Sequence, residues 1–247
     1  LYGLTTSLAP LLPGDVREQA QLLDGGSYTA QTMAGYFNDY NGTGTGCSSS
    51  GSGADRTFAV PVASGQRATI VAQPDAGFDV MLSLASTVAD CDNRVCLANA
   101  NAGSTGTAER LVYVNRTAQN VDLTAIVDAV TSSGNFDVSV TYDTPPTGDV
   151  CENAIPLTIG TPLIGESLAS HTNDYTGSGT SCATTFAGLD RVFSTTVPAN
   201  SRLNVTVTPG AGLNTSISLV AGGVLCGSRV CLAGIDNGTT GAADTLG

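Results

Sequence analysis

Few side chains in this sequence could carry out catalysis. His171 is the single histidine, and an internal repeat places Tyr36 at the equivalent position of its first copy. Since a general base should not be missing from one of two similar copies, we interpret His171 as an exposed loop residue. The sequence also lacks lysine and contains no Gly-x-Ser-x-Gly, His-Glu-x-x-His or phosphate-binding glycine motif. We therefore expect no enzymatic activity.

Seven cysteines could form disulfides or bind a metal ion. Cys91 and Cys96 have the same spacing as Cys226 and Cys231, and each pair is predicted to close a tight loop between strands as a disulfide. So short a loop removes little entropy from the unfolded chain, so the expected stabilisation is small. Zinc is the alternative, but two thiols per loop and one histidine cannot supply the usual four ligands.

Two further cysteines are predicted to pair, which leaves one alone. Cys151 is predicted to form a disulfide with Cys182 at the start of the second copy. The position of Cys151 is Arg17 in the first copy, so Cys47 has no predicted partner. An odd cysteine in a secreted protein is a free thiol or forms an intermolecular bridge. We interpret Cys47 as an unpaired, buried thiol left by a lost disulfide.

Acidic and amide side chains on glycine-rich loops are the candidate metal ligands. Asn101 and Glu109 lie in one such loop, and Asp236 and Asp244 occupy the equivalent positions of the second copy. Oxygen ligands on irregular loops suit Ca²⁺, which is the one cofactor that the sequence leaves open. Their spacing is not that of an EF-hand, and the alternative is that these residues form turns.

The candidate residues recur because the chain contains one unit nearly twice. Asn38–Leu111 aligns without a gap to Asn173–Leu246, and 29 of these 74 positions are identical. The stretch Tyr113–Asn135 has no counterpart within the sequence after the second copy. A repeat of this length predicts two similar domains, each large enough to have its own core.

Short runs of β-branched and aromatic residues, separated by Gly, Asn, Ser and Asp turns, predict strands in both copies, among them 58–62, 68–72 and 136–142 in the first. Val16–Leu23 carries the only helical signal, and it is weak. We therefore predict an all-β fold with two tandem antiparallel β-sandwiches, the second lacking its final strands. The predicted segments are an N-terminal strand of a neighbouring repeat (1–13), a first sandwich (14–143), a Pro-rich linker (144–147) and a second sandwich (148–247).

The start of the chain has the pattern of a final strand. Apolar and polar residues alternate there as they do in Phe136–Tyr142, and both segments precede a Pro-containing link and Gly-Asp-Val. The segment therefore reads as the last strand of a repeat, displaced to the other end of the chain. The alternating residues of this candidate assembly strand are Tyr2, Leu4, Thr6 and Leu8.

The composition excludes several classes of partner. Nine Arg, no Lys and 21 acidic residues give a net charge of −12, which repels nucleic acid and anionic membranes. No apolar run is long enough to span a membrane, and the cysteines indicate an oxidising compartment. We expect a secreted protein, extracellular or at the cell surface. Asn-x-Ser/Thr sequons, a weak signal for glycosylation, begin at Asn41, Asn115, Asn204, Asn214 and Asn237.

Several segments resemble the bacterial pre-peptidase C-terminal domain family. They are 189–199 and 203–209, the Cys226…Cys231 and Asp236…Asp244 patterns that follow, and 111–115 of the first copy. The resemblance covers both copies and implies a jelly-roll-like β-sandwich without catalytic activity, attached to secreted proteins or arrayed on cell surfaces. It is similar to the collagen-binding modules of secreted collagenases, some of which bind calcium.

The displaced strand leads to a hypothesis about function. A sandwich without its final strand exposes an unpaired edge, which a strand from another chain can cover. We therefore expect a structural subunit that joins head to tail with other copies of itself into an extracellular fibre, using Tyr2–Leu8 as the donor. The alternative is a binding or adhesion module for polysaccharide, collagen or cell wall within a longer secreted protein.

Overall fold

A computed structural model describes residues 5, 10–40, 47, 51–86, 95–101, 103–131, 133–173, 175, 182, 188–221 and 230–247. The chain divides into two compact units, Leu1–Thr144 and Pro145–Gly247, and the division falls inside the predicted Pro-rich linker. The weak helical signal corresponds to a single 3-10 turn at Arg17–Gln19, and the second unit has a similar turn at Cys151–Asn153.

Two sheets form the first unit. Their strands are β1 (Gln21–Leu22), β2 (Gly26–Thr32), β3 (Asp55–Val62), β4 (Arg67–Pro74), β5 (Val80–Ser86), β6 (Cys96–Ala100), β7 (Glu109–Val114), β8 (Val121–Ala129) and β9 (Asn135–Asp143). The five-stranded sheet has the order β1-β3-β8-β5-β6, and the four-stranded sheet has the order β2-β9-β4-β7. All pairings are antiparallel except that of the two-residue β1 with β3.

The strand order is that of a jelly roll. β5 and β6 form a hairpin, and the pairs β4–β7, β3–β8 and β2–β9 are nested around it. Successive pairs lie in alternate sheets. The last two strands connect the two pairs within each sheet. β8 also pairs with β5, and β9 also pairs with β4. The predicted all-β fold is confirmed, and in this unit the sandwich has the jelly-roll order.

The core lies between the two sheets because apolar residues alternate along the strands. The Phe58 and Phe136 rings meet edge to face with their centroids 6.2 Å apart, an arrangement that adds to the free energy gained by burial. Other fully buried side chains of this core are Val60, Val62, Ile70, Ala72, Val80, Leu82, Leu84, Val127, Val138 and Val140.

The other face of the five-stranded sheet is also buried, although it points away from the core. Thr57 donates a hydrogen bond to the Gly14 and Val16 carbonyls, which holds the N-terminal part of the unit over β3. The described residues 37–40, 47 and 51–54, called the covering segment below, lie next to the same face. Their amides at Asp39 and Tyr40 donate hydrogen bonds to Asp55 Oδ2.

The disulfides differ from the sequence prediction in both units. Cys47 is bonded to Cys96 and is therefore not an unpaired thiol, and the predicted Cys91–Cys96 bond is wrong. The covering segment reaches the edge strand β6, so the fold brings together two cysteines that are 49 residues apart. Sequence proximity does not decide such pairings.

The second unit has the equivalent disulfide. Cys182 is bonded to Cys231, so the predicted Cys226–Cys231 and Cys151–Cys182 bonds are both wrong. Cys151 is itself disulfide-bonded. Cys91 and Cys226 lie outside the described residues.

The second unit contains shorter strands. They are β10 (Ile155–Pro156), β11 (Phe193–Ser194), β12 (Val205–Val207), β13 (Ile217–Ala221), β14 (Val230–Ile235) and β15 (Asp244–Leu246). β10 pairs with β11 in parallel, while β12–β15 and β13–β14 are antiparallel. Within the described part of this unit, no strand occupies the place that β8 or β9 has in the first unit.

Candidate strand-acceptor site

The two units have the same strand register where both form pairs. Val205 lies opposite Leu246 as Ile70 lies opposite Leu111, with an offset of 135 residues on both strands. β12 and β15 are therefore the counterparts of β4 and β7. The β13–β14 hairpin likewise repeats the register of β5–β6, including the irregularity near its end.

β12 has one strand partner where its counterpart has two. β4 lies between β7 and β9, and eight residues of β4 pair with β9. Among the described residues β12 pairs with β15 alone, so its other edge carries no strand. The backbone groups along that edge can accept a further strand, which is the property that strand addition requires.

The side chains of β12 and its flanks that correspond to core positions are incompletely covered. They alternate with exposed residues in the same way as in β4, but each is only half-buried. We call these four residues the acceptor row. They are Leu203, Val205, Val207 and Pro209, and their counterparts Ala68, Ile70, Ala72 and Pro74 are all buried.

Phe193 on β11 shows the same difference. Its side chain is 38% exposed, whereas its counterpart Phe58 is completely buried. Phe58 is enclosed because β8 lies beside β3 and because Phe136 of β9 packs against its ring. The residues that the sequence predicted to fill such a place, Tyr2, Leu4, Thr6 and Leu8, lie outside the described residues.

Two of the candidate calcium ligands are buried and bind their own loops. Asp244 Oδ1 accepts hydrogen bonds from the Asn237 and Gly238 amides at 2.9 and 2.8 Å. Glu109 Oε1 accepts one from the Gly103 amide at 2.6 Å. A buried carboxylate is stabilised by such charge-assisted hydrogen bonds, and it fixes the shape of the glycine-rich loop in return.

The other two candidate ligands are exposed. Asn101 and Asp236 lie at the surface of their loops. Among the described residues there is no group of three or more His, Cys, Asp or Glu side chains arranged to hold a metal ion. The hydrogen bonds of Asp244 and Glu109 to their own loops agree with the turn-forming interpretation, which was the alternative to calcium binding.

The prediction that His171 is exposed is wrong. The side chain is only 9% exposed, and its Nδ1 lies 3.1 Å from the Ala169 carbonyl oxygen. The His171 amide donates to the Leu168 carbonyl, as the Tyr36 amide donates to that of Met33. His171 therefore closes a turn that is found in both units, and it is more buried than Tyr36 at the equivalent position.

One sequon is unsuited to glycosylation in the folded chain. Asn115 is fully buried, and its amide nitrogen donates hydrogen bonds to the Val62 and Gln119 carbonyls. Its Oδ1 accepts from the amide and hydroxyl of Thr117. The Asn-x-Thr spacing therefore serves a local turn between β7 and β8.

No protein-family model matches this sequence, and no curated protein matches it. Among solved structures, the chain is similar to the pre-peptidase C-terminal domain of a collagenase from Bacillus anthracis, with 14% sequence identity and a TM-score of 0.33. The match covers 49% of this chain and 94% of that domain. The jelly-roll fold of the first unit follows from its own strand order. No helix among the described residues is long and apolar enough to cross a membrane.

Proposed function

We propose that this chain is a non-catalytic, secreted structural subunit of the pre-peptidase C-terminal type, which joins to copies of itself by strand addition. The observation that supports the proposal is the open edge of β12, whose counterpart β4 is paired on both sides. The donor is Tyr2–Leu8 of another copy, and the product is a fibre. The two disulfides suit the oxidising compartment that this role requires.

The register of β9 predicts how the donor lies on the acceptor row. β9 runs antiparallel to β4, with Val140 opposite Ile70 and Val138 opposite Ala72. The donor has the same alternation as β9, whose inward residues Phe136, Val138 and Val140 are buried and whose Tyr142 is partly buried. The predicted pairs are Tyr2 with Pro209, Leu4 with Val207, Thr6 with Val205 and Leu8 with Leu203.

Burial and charge both favour this contact. Each leucine transferred from water to a closed core contributes about 1.5–3 kcal/mol, and the backbone of the donor pairs with the open edge. The donor has no charged side chain, which matters because the chain as a whole carries a net charge of −12. The donor fills the place that β9 has in the first unit.

Such a contact builds a filament rather than a closed dimer. The donor and the acceptor row are different surfaces of one chain, so each added copy presents a new acceptor. Unless a rotation closes the ring, assembly continues head to tail.

Deleting residues 1–9 from the full chain tests the donor. Electron microscopy and light scattering should show filaments for the unaltered chain and, for the deletion variant, single chains slightly lighter than the 24.8 kDa of the full chain. A synthetic Tyr2–Leu8 peptide should bind the deletion variant, while the same peptide with Leu4→Arg should not. Filaments that persist without residues 1–9 would contradict the proposal.

Substitution of the acceptor row tests the other side of the contact. Val205→Arg should prevent assembly, because it places a charge in the row that the donor covers. Thr206→Arg is the matched control, since Thr206 is exposed on the opposite face of the same strand. Equal assembly of both variants contradicts the proposed register. A natural subunit that supplies the missing strand within one longer chain would instead favour the binding-module alternative.

A further inference from the structure

Two aspartates face each other beneath the covering segment of the first unit. Asp55 of β3 is directly opposite Asp128 of β8 in the antiparallel register. Both side chains point away from the core, yet they are only 0% and 2% exposed. Gly51 of the covering segment packs so closely on Asp128 that a Cβ at this position would overlap its carboxylate.

These carboxyl groups have few hydrogen-bond partners. Asp55 Oδ2 accepts the Asp39 and Tyr40 amides at 2.9 and 2.8 Å. Asp55 Oδ1 and both oxygens of Asp128 are buried without a partner among the described residues. Two neighbouring buried carboxylates repel each other and lose their hydration, so they cannot both be ionised at low cost.

The surrounding charges add to this repulsion. Asp15 of the N-terminal part and Asp39 of the covering segment both raise the pKa of Asp55 by their charge. Asp79 directly precedes β5 and is two residues from Met81, which pairs with Asp128, and one of its oxygens is also buried without a partner among the described residues. The described residues provide no ion pair to Asp55 or Asp128. Arg56 points to the opposite side of β3, where it stacks on Tyr36 and Phe58.

A bound cation is the obvious alternative to a proton. Calcium takes six to eight oxygen ligands, usually including several carboxylates. The described residues bring no third acidic, histidine or cysteine side chain into a metal-binding group with these two. One oxygen of Asp55 is already occupied by two amides. A proton requires only the two carboxyl groups that are present.

We propose that Asp55 and Asp128 are both held in the protonated, uncharged form, and that the loss of these protons in alkaline medium loosens the covering segment from the five-stranded sheet. Two ionised carboxylates would then face each other under Gly51 and the Asp39–Tyr40 amides. This pH-dependent contact of the covering segment is independent of strand addition at β12, which lies in the other unit.

The pKa values give the direction and the range of the effect. Burial raises the pKa of Asp128 to about 8, and the charge of Asp55 adds to this. Burial raises the pKa of Asp55 to about 7, although the two amides act in the opposite direction. Both pKa values exceed that of an unfolded Asp. The contribution to stability is therefore complete below about pH 4 and is lost as pH rises through 7 to 8.

Thermal unfolding and hydrogen exchange of the full chain between pH 5 and pH 9 test the proposal. In the unaltered chain, protection of the Asp39 and Tyr40 amides, corrected for intrinsic exchange, should fall about tenfold or more as the two carboxyl groups lose their protons. Asp128→Asn should weaken this pH dependence and leave only the part that comes from Asp55, since the amide carries no charge. Asp75→Asn is the control, because Asp75 is an exposed turn residue, and it should leave the dependence unchanged.

A direct titration keeps the proposal testable if Asp128→Asn fails to fold. In the unaltered chain, carboxyl ¹³C NMR should show two aspartates that titrate above pH 6. Titration of every aspartate near pH 4 overturns the proposal. So does a rise in melting temperature with added Ca²⁺ that abolishes the pH dependence, because the pair would then be a cation site.

Discussion

The two units share their local contacts but differ in how completely those contacts are covered. The Tyr40 hydroxyl accepts the Arg17 amide at 2.6 Å, and the Tyr175 hydroxyl accepts the Cys151 amide at the same distance. The strand registers and the Cys47–Cys96 and Cys182–Cys231 disulfides also correspond with an offset of 135 residues. In the first unit these contacts surround a closed core, while the second leaves Phe193 and the acceptor row partly exposed.

This difference shows that strand pairing and burial of the core depend on different parts of a unit. Strand pairing between β12 and β15 forms at equivalent positions and in the same register as β4–β7, although no strand takes the place of β9 among the described residues. Burial depends on the central strands β8 and β9, which join the nested pairs of each sheet. Hairpins and disulfides therefore form even when part of the unit is uncovered, whereas complete burial of the core requires all the strands of the unit.

The matched pair Phe58→Ala and Phe193→Ala is expected to show the largest difference between the units. Phe58→Ala leaves a cavity in a closed core and should cost about 3–5 kcal/mol of unfolding free energy. Phe193→Ala should cost about 1 kcal/mol, because the ring is already partly in water. Hydrogen exchange in urea, read separately for β3 and β11 peptides of unassembled chains, measures both. Equal losses would show that Phe193 is covered in solution.

The two disulfides provide the next comparison. Both close a loop with a sequence separation of 49 residues, which predicts a similar stabilisation of about 4 kcal/mol in the entropy model. Replacing Cys47 and Cys96 by Ser should lower the melting temperature of the first unit while β5–β6 stays paired. The same replacement of Cys182 and Cys231 should expose the β13–β14 amides to exchange. The predicted difference is wrong if β14 in the Cys182/Cys231 variant stays as protected from exchange as β6 in the Cys47/Cys96 variant.

The loop carboxylates should give the smallest effect. Asp244→Ala and Glu109→Ala each remove a buried acceptor of backbone amides and should cost about 2 kcal/mol. Since these carboxylates are engaged by their own loops, calcium and a chelator should both leave the melting temperature unchanged. A chelator-sensitive melting temperature that Asp244→Asn removes would establish the calcium site in the second unit.

Several features of the fold were predictable because they depend on short segments. Alternation of apolar residues in 58–62, 68–72 and 136–142 located β3, β4 and β9. β2 and β6 were not predicted, because Gly26–Thr32 and Cys96–Ala100 have little β-branched character. These two edge strands form through pairing with β9 and β5, which a local pattern does not reveal.

The candidate site was predictable only in part. The repeat and the pattern of Tyr2–Leu8 predicted a donor strand, but they did not identify β12 as the acceptor. The alignment of 203–209 with 68–74 was the available signal, and it becomes meaningful once β4 is known to pair with β9. The Asp55–Asp128 pair had no such signal, because the two residues are 73 positions apart and meet only through the register of β3 and β8.

The sequence by itself determined the all-β class, the repeat and the positions of most strands, because alternation and turn residues act over a few neighbours. The tertiary structure decided the partners of the cysteines, the burial of His171 and the opposition of Asp55 and Asp128. Each of these depends on chain segments that are distant in sequence, and a jelly roll brings such segments together through nested pairs whose register is set across the sheet.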